Sequence, residues 1–329
     1  MTRPDSEDER ILAEELEILV FTYDRAEKLR ATLARLLESP FRSCRVTVLD
    51  NCSPDHTPEV CREFAGRFAS FAVVRHARNI GLGPNYLRAV ELARAPYAWI
   101  LSDDEALELD DCADVVDAIA EGEAVLISLG SPDQQEWERG MRATTQELLR
   151  RGQLYFPVWT FAAGVIFRTA AFDSGCLRAG YEYLPGDYVH FPHFPFVYAC
   201  LRRDVPVYVS RHRLVTRLDR TVRTSETPLS WLINVGRLTA RIENRSWRME
   251  AVWQSAQGRR GWVLQLAGAI VLERIERPER LGAQLAELAL SLVGPQRLAV
   301  LGLAPLAMVP RPLLRPLYAL MLRRRRTGV

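Results

Sequence analysis

Short apolar runs alternate with amphipathic segments over the first 130 residues of the chain. The runs are rich in strand-forming residues, as in LEILVFT, and the segments between them place leucines at helical spacing, as Leu29, Leu33 and Leu36 do. Strands are therefore predicted at residues 16–22, 45–49, 71–74, 97–101 and 124–129. Strands that alternate with helices in this way predict a mostly parallel sheet with helices on both faces.

The alternation weakens beyond these strands. Residues 158–167 (VWTFAAGVIF) indicate a pair of strands or one kinked strand, and a helix is predicted at residues 194–201. A short strand follows at 205–209, and the arginine-rich stretch at 211–227 is expected to form a polar loop. From Leu229 onward the pattern is helical. The predicted fold class is α/β, Rossmann-like, with a helical C-terminal region.

The charge of the chain is unevenly distributed. Among its 329 residues, 48% are hydrophobic and 26% are charged, which is the balance of a soluble globular protein. The net charge is only +2, yet residues 1–150 carry 17 basic and 29 acidic side chains, whereas residues 151–329 carry 26 basic and 12 acidic ones. We expect the two halves to meet different partners. An acidic first half without a recognition motif argues against nucleic acid as one of them.

Lysine occurs only once, as Lys28, among 43 basic side chains. No Gly-Lys-Ser/Thr sequence is present, which excludes a P-loop nucleotidase. A phosphate group would therefore have to be bound by arginine side chains, by backbone N–H groups or by a metal ion. The six cysteines form no Cys-x-x-Cys pair, which argues against a zinc site and favours a reducing, cytoplasmic environment.

Polar side chains follow each of the first four predicted strands. In an open parallel sheet, ligands bind outside the carboxyl ends of the strands, so these side chains form the candidate site. They are Thr22, Tyr23, Asp24 and Arg25 after the first strand, Asp50 and Asn51 after the second, Asn79, Gly81 and Asn85 after the third, and Ser102, Asp103, Asp104 and Glu105 after the fourth.

Three adjacent carboxylates, those of Asp103, Asp104 and Glu105, repel one another. A hard divalent cation such as Mg²⁺, which often combines one or two carboxylates with substrate phosphates, would relieve that repulsion. The alternative is an acidic cluster at a helix N-terminus. Asp50 could accept hydrogen bonds from a nucleobase or a ribose, or could cap a turn. The loop at 79–85 lacks the GxGxxG pattern and favours either an anion site or a plain turn.

Four segments together resemble a known family. ILVFTYDRAEKL, VTVLDNCSPDHT, RNIGLGPN and AWILSDDEAL, in this order, resemble the nucleotide-binding half of a family 2 glycosyltransferase with the GT-A fold, of the kind that acts in bacterial surface polysaccharide synthesis. The resemblance covers residues 16–130 and extends more weakly toward residue 210. It implies an inverting transfer of a sugar from a nucleotide-diphosphate-sugar donor, assisted by Mg²⁺ or Mn²⁺.

The resemblance also implies roles for the candidate residues. Tyr23, Asp24 and Arg25 would line the pocket for the base and ribose beside Thr22, and Asp50 would hold the base or the ribose. The residues implied near the diphosphate and the sugar are Asn79, Gly81 and Asn85, with Asp103 facing the ribose or sugar.

Either Asp104 or Glu105 would be the primary metal ligand that the resemblance implies. The family usually has Asp at the position of Glu105, and it often has Asn at the position of Asp24. These departures leave the choice between the two carboxylates open.

An inverting transfer needs a general base that deprotonates the acceptor hydroxyl. The family usually supplies it from an acidic pair at the start of a later helix, and this chain has no Glu-Asp pair there. The candidates are Asp187, in a Pro-Gly-Asp-Tyr sequence, and the two histidines of His190-Phe191-Pro192-His193. Asp187 and His193 rank equally and His190 third. Each could instead be a turn, capping or core residue.

The C-terminal region combines apolar and basic segments. Residues 298–309 are apolar but interrupted by Pro305, and they are shorter than the roughly 20 residues that a bilayer span needs. Arg323, Arg324, Arg325 and Arg326 lie near the end of the sequence. Broken amphipathic helices with a basic cluster are typical of segments that lie on an anionic membrane surface. The alternative is a helical subdomain with a solvated basic end.

We therefore expect an acidic tail at residues 1–15, a glycosyltransferase domain at 16–225 and a helical, basic, membrane-associating region at 226–329. Within the domain, residues 16–130 would bind the nucleotide and residues 131–225 the acceptor. The expected enzyme extends a cell-surface glycan or a lipid-linked saccharide, in the cytoplasm, at the inner face of the cell membrane.

Two other functions are weighed against this one. The missing Glu-Asp pair favours an inactive scaffold of a glycan-synthesis complex. A sugar-phosphate nucleotidyltransferase is less favoured, because its glycine-rich basic loop after the first strand is replaced here by Thr22-Tyr23-Asp24-Arg25.

Overall fold

The computed structural model describes residues 5–129, 139–151, 162–182, 192–217, 228–254 and 258–327. The chain divides into two compact units, residues 1–220 and 221–329. The predicted boundary after residue 225 lies close to this division.

The first unit alternates strands and helices along most of its length. Its described elements are α1 (Asp5–Glu15), β1 (Leu16–Thr22), α2 (Ala26–Leu37), β2 (Arg45–Asp50), α3 (Thr57–Phe64), β3 (Ser70–Arg75), α4 (Leu82–Leu92), β4 (Tyr97–Ser102), β5 (Glu105–Leu107), α5 (Ala113–Glu121), β6 (Leu126–Ser128), β7 (Met141–Thr144), α6 (Thr145–Arg150), β8 (Val165–Arg168), α7 (Ser174–Glu182), α8 (Phe194–Arg203), β9 (Pro206–Val209) and β10 (Val215–Arg217).

The α/β fold class is confirmed, and the sheet is mixed. Among the described residues, eight strands pair in the order β3-β2-β1-β4-β8-β6-β9-β7, and β5 pairs separately with β10. The pairings within β3-β2-β1-β4 are parallel. Strand β8 runs antiparallel to both β4 and β6, and β7 runs antiparallel to β9. The expectation of a mostly parallel sheet therefore describes the first half well, because an apolar run such as β8 carries no signal of its direction.

Strand β1 lies at the centre of the parallel part and is buried along its whole length. Successive side chains of a strand point to opposite faces. Ile18 and Val20 belong to the main core together with the leucines of α2, whereas Phe21 packs edge-on against Tyr86 of α4, with 6.3 Å between the ring centroids. Both faces of the strand are thus covered, which explains its unbroken apolar sequence. Polar residues begin only where the strand ends.

The segment that the sequence predicts to be an acidic tail forms helix α1. Ile11 and Leu12 are buried in the main core, and the helix packs against α5 and the 3₁₀ turn Pro40–Ser43. Arg42 of that turn pairs with Glu9 at 2.6 Å. The tail prediction is wrong because two buried apolar residues anchor a helix whose other positions are largely charged.

The second unit is helical in all its described elements, as predicted. They are α9 (Pro228–Thr239), α10 (Arg245–Gln254), α11 (Gly258–Glu276), α12 (Pro278–Ser291), α13 (Gly294–Leu303), a 3₁₀ helix (Ala304–Met308) and α14 (Arg311–Thr327). Helix α11 contacts the neighbouring helices α9, α10, α12 and α14, and its Trp262, Leu266 and Ile270 are fully or almost fully buried.

No single described helix combines the length and the apolar composition that a membrane crossing requires. The segments Gly294–Met308 and Arg311–Ala319 meet that requirement only when taken together, and they are bent by 113° at the break between them.

Helix α1 should contribute to the stability of the first unit. We expect Leu12→Ala to lower its free energy of unfolding by about 2–5 kcal/mol, because the leucine is fully buried and its removal leaves a cavity. Glu14→Ala, at an exposed position of the same helix, should change it by less than about 0.5 kcal/mol. Denaturant unfolding followed by circular dichroism measures both. If Leu12→Ala and the unsubstituted protein are equally stable, residues 1–15 behave as the acidic tail that the sequence predicts.

Candidate active site

The parallel strands bring the candidate residues to one edge of the sheet. Thr22, the last residue of β1, lies opposite Asp50, the last residue of β2. On the other side of β1, Phe21 lies opposite Ser102 at the end of β4. The loops that follow these three strands therefore start side by side, and the side chains that they carry are close enough to interact.

Asp103, directly after β4, is almost fully buried, with 2% of its surface exposed. Its Oδ2 atom accepts a hydrogen bond of 2.5 Å from the Thr22 hydroxyl, and its Oδ1 atom lies 3.1 Å from Nη1 of Arg25. Burial raises the pKa of Asp103 to about 6, although the Thr22 hydrogen bond and the Arg25 charge favour the ionised form. The carboxylate therefore depends on the positive charge beside it at neutral pH.

Asp104 shares the same guanidinium nitrogen but is more open to solvent. Nη1 of Arg25 lies 2.7 Å from Oδ2 of Asp104, and the Ser102 hydroxyl donates to Oδ1. The exposed fraction of the Asp104 side chain is 22%, against 2% for Asp103. Of these two carboxylates, Asp104 is the one that a ligand in solvent can reach.

Glu105 begins β5 and takes part in the small antiparallel sheet. It lies opposite Arg217 of β10 in the register of the two strands. Glu105 is 8% exposed, so it is less accessible than Asp104. Which of the two carboxylates is the primary metal ligand stays a prediction.

Asp50 organises the loop that follows β2. Its Oδ1 atom accepts the backbone N–H of Ser53 at 2.8 Å, and its Oδ2 atom pairs with Nη1 of Arg75 at 3.0 Å. The Ser53 hydroxyl in turn accepts the backbone N–H of Asp24 at 3.0 Å. These bonds correspond to the turn-capping interpretation of Asp50, and its contact with a base or ribose stays a prediction.

The β1 loop is held at its backbone by this neighbouring loop. Asp24 has a left-handed backbone, with φ of 55°, and Tyr23 beside it is 42% exposed. Asp55 accepts the backbone N–H of Ala26, the first residue of α2, at 2.8 Å. Ser53 and Asp55 are not among the predicted site residues, although their Ser-Pro-Asp-His-Thr sequence is a turn signal.

The loop after β3 is held by Asn51, a buried residue that directly follows the last residue of β2. Its amide nitrogen donates to the side chain of Asn79 at 2.9 Å, and its amide oxygen accepts the N–H of Ile80 at 2.8 Å. The next residue, Gly81, has a φ of 87°, which explains the glycine there. Asn79 thus shapes the loop.

Asn85 lies in the first turns of α4 and is 2% exposed. Its side-chain oxygen lies 2.9 Å from Nε2 of His76, and its side-chain nitrogen donates to the carbonyl of Leu49 at 3.5 Å. These contacts tie α4 to the ends of β2 and β3. Contact of Asn85 with a donor stays a prediction.

Of the three candidate bases, only His193 can be placed. Asp187 and His190 lie outside the described residues. His193 precedes α8, is 4% exposed, and packs its ring 5.4 Å from the ring of Tyr86. The imidazole is thus enclosed on the side of α4.

The acidic motif fits a divalent cation through one protein carboxylate. Among the described residues, no group of three or more His, Cys, Asp or Glu side chains converges to hold a metal ion. Asp104 offers an accessible carboxylate at a strand end, and Mg²⁺ commonly takes one or two carboxylates together with substrate phosphates. The residues of the acidic motif therefore suit a cation that arrives with a diphosphate better than a cation that binds to the protein alone.

The part of the chain that carries the carboxyl edge of the sheet is similar to known proteins. A family model described as glycosyl transferase family 2 matches residues 17–180. Abequosyltransferase RfbV from Salmonella typhimurium is 31% identical over 96 residues, which is 28% of this chain and 28% of that protein. The similarity to this curated relative thus covers less than a third of its length.

Solved structures of TarS from S. aureus share the fold. TarS 1-349 superposes with a TM-score of 0.56 at 15% identity, covering 96% of this chain and 92% of that one. Its complex with UDP-GlcNAc gives a TM-score of 0.57 at 16% identity, covering 95% and 92%. At this level of identity the likeness shows the fold alone. The family model spans every strand-end candidate from Thr22 to Glu105, and residues 17–180 of the chain are a family 2 glycosyltransferase domain, with the GT-A fold.

Proposed function

We propose that the protein is an inverting glycosyltransferase that uses a nucleotide-diphosphate sugar to extend a saccharide or lipid-linked saccharide destined for a cell-surface glycan. The observation that carries the proposal is the meeting of Thr22, Arg25, Asp103 and Asp104 at the carboxyl edge of the sheet, inside the family 2 segment. This is the edge at which open α/β sheets bind their ligands.

The donor is proposed to place its diphosphate beside Arg25 and the N-terminus of α4. A guanidinium fork and the backbone N–H groups of a helix start both suit phosphate oxygens. Because TarS was crystallised with UDP-GlcNAc and the curated relative is an abequosyltransferase, UDP-GlcNAc and nucleotide-activated abequose are the first donors to test.

Asp104 is proposed as the ligand of Mg²⁺ or Mn²⁺, with Glu105 in a lesser role because it is more buried. A divalent cation supplies positive charge to the leaving diphosphate. The chain's own residues orient the motif: Ser102 and Arg25 hold the Asp104 carboxylate, and Thr22 fixes Asp103 beside it.

Asp187 is proposed as the general base ahead of His193 and His190. The base must come within hydrogen-bond distance of the acceptor hydroxyl whose proton it takes. His193 is 4% exposed and packed on Tyr86, which limits that access and favours a packing role. The deprotonated oxygen would then attack the anomeric carbon as the bond to the diphosphate breaks, which inverts the configuration.

The protein is proposed to act at a membrane surface, because the second unit exposes apolar and basic side chains. Its exposed large side chains include Leu298 and Leu301 of α13, Met308, and Leu313 and Leu317 of α14. The leucine pairs are spaced three and four residues apart, so each pair shares a helix face. Residues 294–329 contain seven arginines and no acidic residue. An apolar, basic surface of this kind suits the headgroup region of an anionic bilayer.

Removal of the Asp104 carboxylate should abolish metal-dependent donor binding. We expect Asp104→Ala to lower transferase activity at least about 100-fold and to remove the effect of Mn²⁺ on UDP-GlcNAc binding, because the cation loses its protein ligand. Glu105→Ala should have a smaller effect. Isothermal titration calorimetry with and without Mn²⁺ measures the binding.

Glu108→Ala, an exposed carboxylate near the motif, is the matched control for these variants. Full Mn²⁺-dependent binding by Asp104→Ala would contradict the ligand assignment. If the unsubstituted protein binds none of a panel of nucleotide sugars, the inactive scaffold becomes the better interpretation.

The general base can be identified by isosteric substitution. We expect Asp187→Asn to lower kcat by about 10²–10⁴-fold with little change in donor affinity, because it removes only the proton acceptor. His193→Asn should lower thermal stability more than kcat, since the ring is buried. Steady-state kinetics and thermal unfolding separate the two effects. Unimpaired kcat in Asp187→Asn would leave the base to one of the histidines.

Vesicle co-sedimentation tests the membrane proposal. We expect the protein to bind vesicles that contain anionic lipid and to bind neutral vesicles poorly. Leu313→Gln with Leu317→Gln should weaken binding at least about fivefold, because the inserted apolar surface is lost. Leu264→Gln, an exposed leucine of α11, is the control. Equal binding by the double variant and the control would contradict insertion of α14.

A further inference from the structure

Arg25 occupies the place between the two carboxylates where a cation would neutralise both. One nitrogen, Nη1, lies 3.1 Å from Oδ1 of Asp103 and 2.7 Å from Oδ2 of Asp104. The remaining oxygen of each carboxylate accepts a hydroxyl, from Thr22 and from Ser102 respectively. The acidic motif is therefore compensated by a side chain of the protein itself.

The backbone on both sides of Arg25 is fixed by the loop after β2. The N–H of Asp24 donates to Ser53 at 3.0 Å, and the N–H of Ala26 donates to Asp55 at 2.8 Å. The Arg25 side chain, in contrast, is 33% exposed and is held by side-chain atoms. The backbone of Arg25 is thus fixed, whereas its guanidinium can change partners without a movement of the main chain.

A divalent cation and this guanidinium compete for the same oxygen. A cation coordinated by Asp104 would approach the carboxylate where Nη1 now lies, and two positive charges within a few ångströms repel each other. A guanidinium that leaves a carboxylate finds an equally suitable fork of acceptors in a phosphate group. A nucleoside diphosphate brings both the remaining ligands of the cation and a new partner for the arginine.

On the basis of the proposed metal-assisted donor binding, we propose that Arg25 is a positioning residue that holds the place of the divalent cation at Asp103 and Asp104 until donor and cation arrive together, and that then binds the diphosphate. The cation alone binds weakly, because it must displace Arg25 with no anion to receive it. Cation and nucleotide consequently raise each other's affinity. The arginine also keeps the buried Asp103 compensated in the empty enzyme.

The proposal predicts opposite effects of one substitution on two affinities. Arg25→Ala should bind Mn²⁺ alone at least about tenfold more tightly than the unsubstituted protein, because the competing cation is gone. The same variant should bind UDP in the presence of Mn²⁺ at least about tenfold more weakly, because the diphosphate loses its fork. Mn²⁺ binding is measured by electron paramagnetic resonance of the free ion, and UDP binding by calorimetry, so neither readout depends on turnover.

Arg30→Ala is the matched control. Arg30 lies in the first turns of α2, the helix that begins directly after Arg25, and its side chain is 36% exposed. It pairs with Glu27 and with Glu63, the latter at 2.9 Å, instead of the acidic motif. Loss of this charge should leave both affinities within about twofold. If both variants gain Mn²⁺ affinity equally, a general change of charge explains the result and the proposal is overturned.

A second variant covers the case in which Arg25→Ala does not fold. Arg25→Lys keeps the charge but not the planar fork, so Mn²⁺ alone should bind as in the unsubstituted protein, while UDP with Mn²⁺ binds more weakly. Unchanged Mn²⁺ affinity in folded Arg25→Ala, or unchanged UDP affinity in Arg25→Lys, would overturn the positioning role of Arg25. Either result would leave the proposed function standing. If the unsubstituted protein binds no Mn²⁺ even with UDP, the proposed metal site is wrong, and the positioning role of Arg25 is wrong with it.

Discussion

Two neighbouring carboxylates at the end of a buried strand are the constraint around which this edge of the sheet is built. Asp103 is enclosed by protein, so its charge must be met by groups within hydrogen-bond distance. The Thr22 hydroxyl and the Arg25 guanidinium meet it, the first from the end of the adjacent strand and the second from the loop that follows that strand. Strand β1 therefore has to end beside β4, in the register that the structure shows, for the site to exist.

The two-sided covering of the sheet has a further consequence for where chemistry is possible. Because β1, β2 and β4 are buried over nearly all their length, their faces offer no place for a solvated polar group. Polar side chains are confined to the loops at the strand ends, and parallel pairing collects these ends at one edge. The acidic charge of residues 1–150 includes these strand-end carboxylates. Many other acidic side chains of this half lie on the surface, for example those of helix α1.

Within residues 16–129 the sequence predicts strands β1, β2, β3, β4 and β6, because each follows a local pattern of apolar positions. It does not predict β5, whose pairing with β10 depends on residues more than 100 positions away. It also predicts that Thr22, Arg25, Asp103 and Asp104 lie at one edge, since that follows from parallel pairing. It does not predict the partners of these side chains. Ser53 and Asn51 are separated from their partners Asp24 and Asn79 by 29 and 28 residues, and no local pattern marks such pairs. The direction of β8 and the burial of α1 also depend on distant contacts.

Asp50 and Asp104 show how similar residues at one edge acquire different capacities. Each is a strand-end carboxylate with an arginine beside it, yet Asp50 also accepts a backbone N–H, whereas the bonds described for Asp104 come from side chains. A backbone N–H cannot turn away without a change in the loop, so this bond of Asp50 is fixed together with the loop. Hydroxyl and guanidinium groups on side chains rotate about single bonds, so a carboxylate that they hold can exchange them for a ligand. The identity of the donor group therefore separates a bond that maintains the edge from a bond that a ligand can replace.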